Sequence, residues 1–193
     1  YTTGASSENI YSADMVDANT GYCTMNQSGR PLYRTTNGGV NWTALTTGLT
    51  GSLRGVTAPD ANTVYVAQTG GTQRVAKSTN GGANWTSATG TGITGDVYNI
   101  WAVDADIAFC TTSPSNTFIY KTINGGATWT QVFTQSGGFI DGIQMISPTE
   151  GYAMGDPVGG KWTILKTVDG GNTWTRMATE PVNGTGEAGW NNS

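Results

Sequence analysis

Short apolar runs separated by Gly, Asn, Thr and Ser recur along the whole chain, and no stretch longer than a turn keeps the spacing of an amphipathic helix. The runs LYR (32–34), VAK (75–77), IYK (119–121) and ILK (164–166) each end on a basic residue. Each is followed at once by a near-identical phrase: RTTNGGVNWT (34–43), KSTNGGANWT (77–86), KTINGGATWT (121–130) and KTVDGGNTWT (166–175). A second register precedes them in the frames DANTGY, DANTVY, DADIAF and SPTEGY, a turn followed by an aromatic on the next strand. Apolar residues on both faces of these strands, with Gly, Asn and Thr poor in helices, predict buried β-structure throughout.

The Trp of the phrase falls at 42, 85, 129 and 174, a spacing of 43, 44 and 45 residues. A period in that range with several strands per period is the mark of a β-propeller, one blade per repeat. Each unit divides into four strands, exemplified by an inner strand at 54–58, a second at 63–68, a third at 73–78 and an outer one starting at the Trp. The fold expected is all-β: four consecutive four-stranded blades of about 44 residues. They divide as blade 1 (8–52), blade 2 (53–95), blade 3 (96–140) and blade 4 (141–185). Residues 1–7 then fit the outer strand of a preceding blade and 186–193 the inner strand of a following one. That arrangement implies a segment of a seven- or eight-bladed propeller, with a frayed four-bladed ring as the alternative.

The phrase has a mechanical explanation. Asn-Gly-Gly or Asp-Gly-Gly tolerates the positive φ of a sharp reversal. The Asn or Asp side chain and the preceding Ser or Thr hydroxyl accept the turn's own amide hydrogens, and the Trp is expected to pack on its own blade. The pattern resembles the Asp-box, or BNR, repeat, S/T-x-D-x-G-x-x-W, of sialidase-type propellers, sortilin-type receptors, xyloglucanases and photosystem II assembly-factor-like propellers. Its four copies are Thr35/Asn37/Gly39/Trp42, Ser78/Asn80/Gly82/Trp85, Thr122/Asn124/Gly126/Trp129 and Thr167/Asp169/Gly171/Trp174. Three copies carry Asn where that family has Asp, which keeps the hydrogen bonds and removes charge. The wording of units three and four is most similar to the large secreted BNR-repeat proteins of Bacteroidetes-type bacteria. The resemblance implies a propeller whose repeat phrase is scaffold, lying away from any ligand site.

Composition narrows the function classes. Charged residues are 11% of the chain, Gly fills 29 positions, and the net charge is −4 with a pI near 4.6. A surface made polar by amides and hydroxyls is common in secreted all-β proteins, so a secreted or cell-surface location is expected. With no basic run and no apolar stretch of membrane-spanning length, neither nucleic acid nor membrane insertion is expected. Cys23 and Cys110 fall at matching positions of units one and three, a whole unit apart, so no disulfide is expected and both read as small buried hydrophobes.

The chain has no His, which rules out Ser-His-Asp and Cys-His arrangements. None of its five Arg lies in a sialidase-like setting. No cofactor and no metal site is expected. Arg54, Asp96, Asp141 and Glu187 fall eleven to thirteen residues beyond a repeat Trp, at the start of an inner strand, where propellers present the rim of their channel. Asp141 and Asp156 make the best acid pair for glycoside hydrolysis, with Trp101, Trp162 and Trp190 as sugar-stacking platforms. Solvated loop acids and core tryptophans are the plainer explanation. The basic residues Arg34, Lys77, Lys121 and Lys166 read as exposed lysines and arginine that discourage strand pairing at a sheet edge. The leading expectation is therefore a non-catalytic propeller module for binding, adhesion or assembly. Its partner would be a protein, a glycan or the remaining blades of the same polypeptide. An Asp-box glycoside hydrolase and an assembly factor of a larger complex are the alternatives.

Overall fold

A computed structural model describes residues 9–25, 32–88 and 91–187. Its strands form four antiparallel meanders, each ordered from the inside outward. Blade 1 holds β1 (Ile10–Met15), β2 (Gly21–Met25), β3 (Leu32–Thr35) and β4 (Thr43–Leu45); blade 2 holds β5 (Ser52–Thr57), β6 (Val64–Thr69), β7 (Val75–Ser78) and β8 (Thr86–Ala88). Blade 3 holds β9 (Val97–Ala102), β10 (Ala108–Thr112), β11 (Asn116–Thr122) and β12 (Thr130–Ser136). Blade 4 holds β13 (Ile140–Met145), β14 (Gly151–Val158), β15 (Lys161–Thr167) and β16 (Thr175–Arg176). The inner strands β1, β5, β9 and β13 contact one another in that order. The described residues form four blades of a β-propeller.

Local turn chemistry makes the meanders. Between the first and second strands, Asp17 Oδ1 accepts the amide hydrogens of Asn19 and Thr20 at 2.7 and 2.8 Å, and Asp60 and Asp104 repeat the arrangement. Ser147 Oγ stands in for the carboxylate in blade 4. Between the third and fourth strands, Thr167 Oγ1 accepts the Gly171 amide at 2.9 Å and donates to Asp169 Oδ1 at 2.8 Å, while Asp169 Oδ1 accepts the Thr173 amide at 3.0 Å. These bonds hold the Asp169 carboxyl down at about 2, the Thr173 amide contributing most.

The three Asn copies of the phrase close the same turn. Thr35, Ser78 and Thr122 donate to the Oδ1 atoms of Asn37, Asn80 and Asn124 at 3.0–3.1 Å. Those oxygens accept the amide hydrogens of Asn41, Asn84 and Thr128 at 2.8–3.0 Å. Gly39, Gly82 and Gly126 donate their amides back to the three hydroxyls at 2.8–2.9 Å, in the left-handed conformation that the reversal requires, with φ of 84°, 88° and 87°. The first Gly of each phrase then donates its amide to the preceding turn of its own blade, Gly38 to Asn19 and Gly81 to Asn62, so the two turns lock together.

The core sits between blades rather than within them. Tyr22 and Leu32 of blade 1 cluster with Leu53, Val56 and Val64 of blade 2. Tyr65 and Val75 of blade 2 cluster with Val97, Ile100 and Trp129 of blade 3, and Phe109 and Ile119 of blade 3 with Ile140, Leu165 and Trp174 of blade 4. Full burial of each such side chain contributes about 1.5–3 kcal/mol.

Trp85, Trp129 and Trp174 reach beyond their own blades, because the clusters they join hold apolar residues of two neighbouring blades. Trp85 donates its Nε1 hydrogen to the Gly82 carbonyl of its own turn at 3.0 Å, but its ring lies on the Tyr22 and Leu32 cluster. Trp129 and Trp174 are buried in the next two clusters, and Trp174 meets Phe109 of the preceding blade edge-on, with ring centroids 5.9 Å apart. Trp42 of blade 1 is half-buried; its ring lies beside Gly39, where an added methyl would come within 3.7 Å of it. Cys23 and Cys110 are free and buried on β2 and β10, with blade 2 between them, and burial raises both thiols above their ordinary range.

The basic residues ahead of the phrase differ from the edge role expected of them. They lie on the third strand of each blade, directly opposite the aromatic of the second: Arg34 opposite Tyr22, Lys77 opposite Tyr65, Lys121 opposite Phe109 and Lys166 opposite Tyr152. Each cation stands 5.2–5.9 Å from its ring centroid and is half-buried. In blades 2 and 3 the ammonium also reaches forward, Lys77 to the Ala105 carbonyl and Lys121 to Asn172 Oδ1 at 2.9 Å, and so staples one blade to the next. An inner position on the third strand leaves these residues no edge to guard.

Candidate functional site

Every inner strand breaks its ladder once, near its start. The pairing skips one residue between Ile10 and Ser12, between Leu53 and Gly55, between Val97 and Asn99, and between Ile140 and Gly142. The extra residues are Tyr11, Arg54, Tyr98 and Asp141, one per blade at the same register. A bulge bends the strand and re-aims the side chain it carries, and bulges gather at sheet edges and next to sites. Here they set two tyrosines, an arginine and an aspartate along the inner edge of neighbouring blades. The Arg54 guanidinium lies 4.1 Å from the centroid of the Tyr11 ring across the first blade junction. Tyr98 meets Phe139 edge-on, centroids 5.0 Å apart, across the third.

Asp141 is fixed from behind. The Ile140 carbonyl next to it accepts the Asn99 side-chain amide at 2.9 Å and the Thr111 hydroxyl at 3.4 Å, both from blade 3. The Asp156 amide donates to the Phe139 carbonyl at 2.8 Å, which brings the second acid to the same corner. Burial first, and the negative charge of Asp156 second, lift the Asp141 carboxyl from 3.8 to about 6. Its Oδ1 is enclosed and receives no hydrogen bond among the described residues. A cavity of about 110 Å³ opens beside it, lined by Asn99, Trp101, Phe109, Thr111, Gly142 and Ile143 as well as Asp141.

The structure therefore brings Asp141, Asp156 and Trp101 to one junction, between blades 3 and 4. Asp96 does not match Asp141. The loop after Trp85 places Tyr98 at the bulge, and Asp96, two residues earlier, pairs with Arg74 at 2.6 Å and accepts the Gly70 amide at 3.0 Å. Trp162 stands on β15, its backbone amide bonded to Pro181 O at 2.9 Å, and does not line the cavity. Glu187 is exposed and closes a turn on Gly184, whose amide it accepts at 2.6 Å. Trp190 lies outside the described residues, as do residues 1–8 and 188–193, where the sequence suggests strands of adjoining blades.

The repeat phrases stand apart from this junction. Asn80, Gly82, Asn124 and Gly126 close outer turns and do not line the cavity beside Asp141, nor do Gly39 and Trp42. Asn37 borders a separate groove of about 210 Å³ with Arg34, Thr36, Asn41, Thr43 and Leu45. The Oδ1 atoms of Asn37, Asn80 and Asn124 are all occupied by their own turns. No group of three or more metal-ligating side chains forms among the described residues. Sequence reasoning missed Tyr11, Tyr98 and Phe139; for the two tyrosines the signal available was their common distance ahead of the DANT-type turns.

No protein-family model matches the chain, and no curated protein sequence does. Solved structures with the same fold are numerous. A structure of YCF48 bound to a D1 peptide superposes with a TM-score of 0.55 at 14% identity, over 89% of this chain and 81% of that one. The Niastella koreensis GH74 enzyme superposes at 0.65 and 18% identity over 86% of this chain, which spans only 30% of the enzyme's length. A chain of a nidogen/laminin complex superposes at 0.61 and 11% identity, over 90% of this chain and 80% of its own. At these identities the likeness is one of fold, and it agrees with the blade architecture seen directly.

Proposed function

We propose that this chain is a non-catalytic propeller module, secreted or displayed at a cell surface. Its task is to bind a protein or glycan partner along the inner edge of its blades. One observation carries this reading: four equivalent bulges put Tyr11, Arg54, Tyr98 and Asp141 in a row, and Tyr and Arg are the side chains that dominate binding hot spots. The row lies on a rigid scaffold whose shape is fixed by the turns and inter-blade clusters, so little ordering entropy is lost on binding. The cavity beside Asp141, at about 110 Å³, falls below the roughly 300–1,000 Å³ of enclosed small-molecule sites. A shallow surface suited to a peptide or an extended glycan is the better match. Propellers of this fold occur in complexes with a peptide and with another protein, which makes assembly of a larger complex a natural setting.

Peptide and glycan arrays probed with this chain and with Arg54→Ala and Tyr98→Ala test the proposal. Hits lost in both variants are expected; hits kept by both move the site elsewhere.

A second reading has a specific observation in its favour. Asp141, held at about 6 beside Asp156, is the kind of carboxyl that serves as a general acid, and the GH74 structures share the fold. Glycan turnover abolished by Asp141→Asn would establish it in place of the binding module.

A further inference from the structure

The junctions between consecutive blades share one plan, and the one between blades 3 and 4 departs from it. Asp14, Thr57 and Trp101 occupy a single register of the inner strand, each opposite the aromatic of the second strand: Tyr22, Tyr65 and Phe109. At the first two junctions a side-chain oxygen at this place accepts an amide hydrogen of the following blade. Ala58 donates to Asp14 Oδ2 at 2.7 Å, and Ala102 to Thr57 Oγ1 at 3.3 Å. Trp101 offers no such acceptor, since an indole only donates. Its ring instead stacks on Phe109, with centroids 6.4 Å apart and planes 27° from parallel.

The consequence is a junction that stays open at its inner edge. Val56 and Ile100 hold one register on β5 and β9 and are 3% and 8% exposed, whereas Ile143, their counterpart on β13, is half-buried and borders the cavity of about 110 Å³ beside Asp141. The walls of that cavity come from β9, β10 and β13, and Asp141 is the one ionisable side chain among them. Its enclosed Oδ1 receives no hydrogen bond, and it forms no ion pair, among the described residues. The charge that bears on it is the negative one of Asp156 on β14. Lys121 stands 5.8 Å from the centroid of the Phe109 ring, but its ammonium is bonded to Asn172 Oδ1 at 2.9 Å. An acceptor without a donor, a second negative charge and an indole wall make a place for a cation.

We propose that this junction is a pocket for one basic side chain, lysine or arginine, of an extended peptide partner, held open by Trp101 with Asp141 as the counter-charge. The inference rests on the binding reading above and names the chemistry of the partner. A volume of about 110 Å³ equals that of about four water molecules in the liquid. That is room for the end of one long side chain and less than a sugar ring needs, so a peptide fits better than a glycan. The apolar stem lies along Trp101 and Ile143 while its charged end gives Asp141 the hydrogen bond it lacks.

The n-butylammonium ion, which reproduces the end of a lysine side chain, tests the pocket without any partner. In NMR spectra of the chain at about pH 8 and constant ionic strength, it should shift the Trp101 indole and Asn99 side-chain amide signals and saturate below about 100 mM. Neutral 1-butanol should act at least about tenfold more weakly. Asp141→Asn, which keeps the shape, should weaken the response at least about tenfold, as should a fall to about pH 4.5, where a carboxyl that releases its proton at about 6 is neutral. Trp101→Thr, which installs the residue of the second junction, should abolish the Asn99 shift. On peptide arrays, changing every Lys and Arg of a hit to Gln should lower binding at least about tenfold. Equal shifts from 1-butanol, shifts kept in Asp141→Asn, or hits indifferent to the loss of their basic residues would overturn the pocket and leave the row of bulges as a binding edge. An array with no hits would overturn that edge and the peptide occupant together, whatever butylammonium does.

Discussion

Replacing Asp141 with Asn should make the protein more stable at neutral pH and leave it unchanged in acid. The native carboxyl holds its proton up to about pH 6, because burial and the charge of Asp156 oppose its ionisation, while the unfolded chain releases the same proton near 3.8. Between those values the native state binds the extra proton, so stability falls as pH rises and is constant above the upper one. At full expression the gap corresponds to about 3 kcal/mol. The side chain is only half-buried, and solvent screening cuts this to about 1–2 kcal/mol. Asn fills the same space without the charge. Scanning calorimetry at pH 8 should therefore show Tm raised by about 2–8 °C in Asp141→Asn, and at pH 3 the two proteins should melt together. A Tm gain of equal size at both pH values, or a loss at pH 8, would refute the electrostatic account of this corner. A natural chain that keeps a destabilising carboxylate is behaving as functional sites often do.

Further expectations follow from the joints and turns. In Gly171→Ala the new methyl would collide with the Phe109 ring at a backbone φ of +78°, so chemical denaturation should show a loss of about 2–4 kcal/mol. Thr167→Val removes the hydroxyl that accepts the Gly171 amide and donates to Asp169, and should cost about 1–3 kcal/mol in the same assay. Carboxyl-detected NMR titration should place Asp169 near 2 and Asp141 near 6; both groups titrating near 4 would contradict the hydrogen bonding of the one and the burial of the other.

The strands, their order and the sharp reversals were legible because the causes are local. A hydroxyl, an Asn or Asp and two glycines at fixed offsets close the same turn wherever they occur, and Thr35, Ser78, Thr122 and Thr167 do so with the same bonds. The site was half legible. Asp141, Asp156 and Trp101 converge at one blade junction, but the register that relates inner strands depends on loop length, and counting from Trp85 points to Asp96 when Tyr98 carries the bulge. Lys77 and Lys121 illustrate a different limit. Their charge suggested an exposed edge, yet their partners are an aromatic across the strand and an acceptor in the next blade, and neither proximity is written in the local sequence. The same holds for Trp85, Trp129 and Trp174, whose clusters include apolar side chains of the preceding repeat.

Hydrogen–deuterium exchange on the chain with its strongest array ligand tests whether the inner-strand bulges hold the partner. Bound ligand should slow exchange around Tyr11, Arg54, Tyr98 and the Phe139–Asp141 segment, the bulged starts of the four inner strands. Protection confined to the outer strands β4, β8, β12 and β16, with the bulges exchanging as in the free chain, would contradict it.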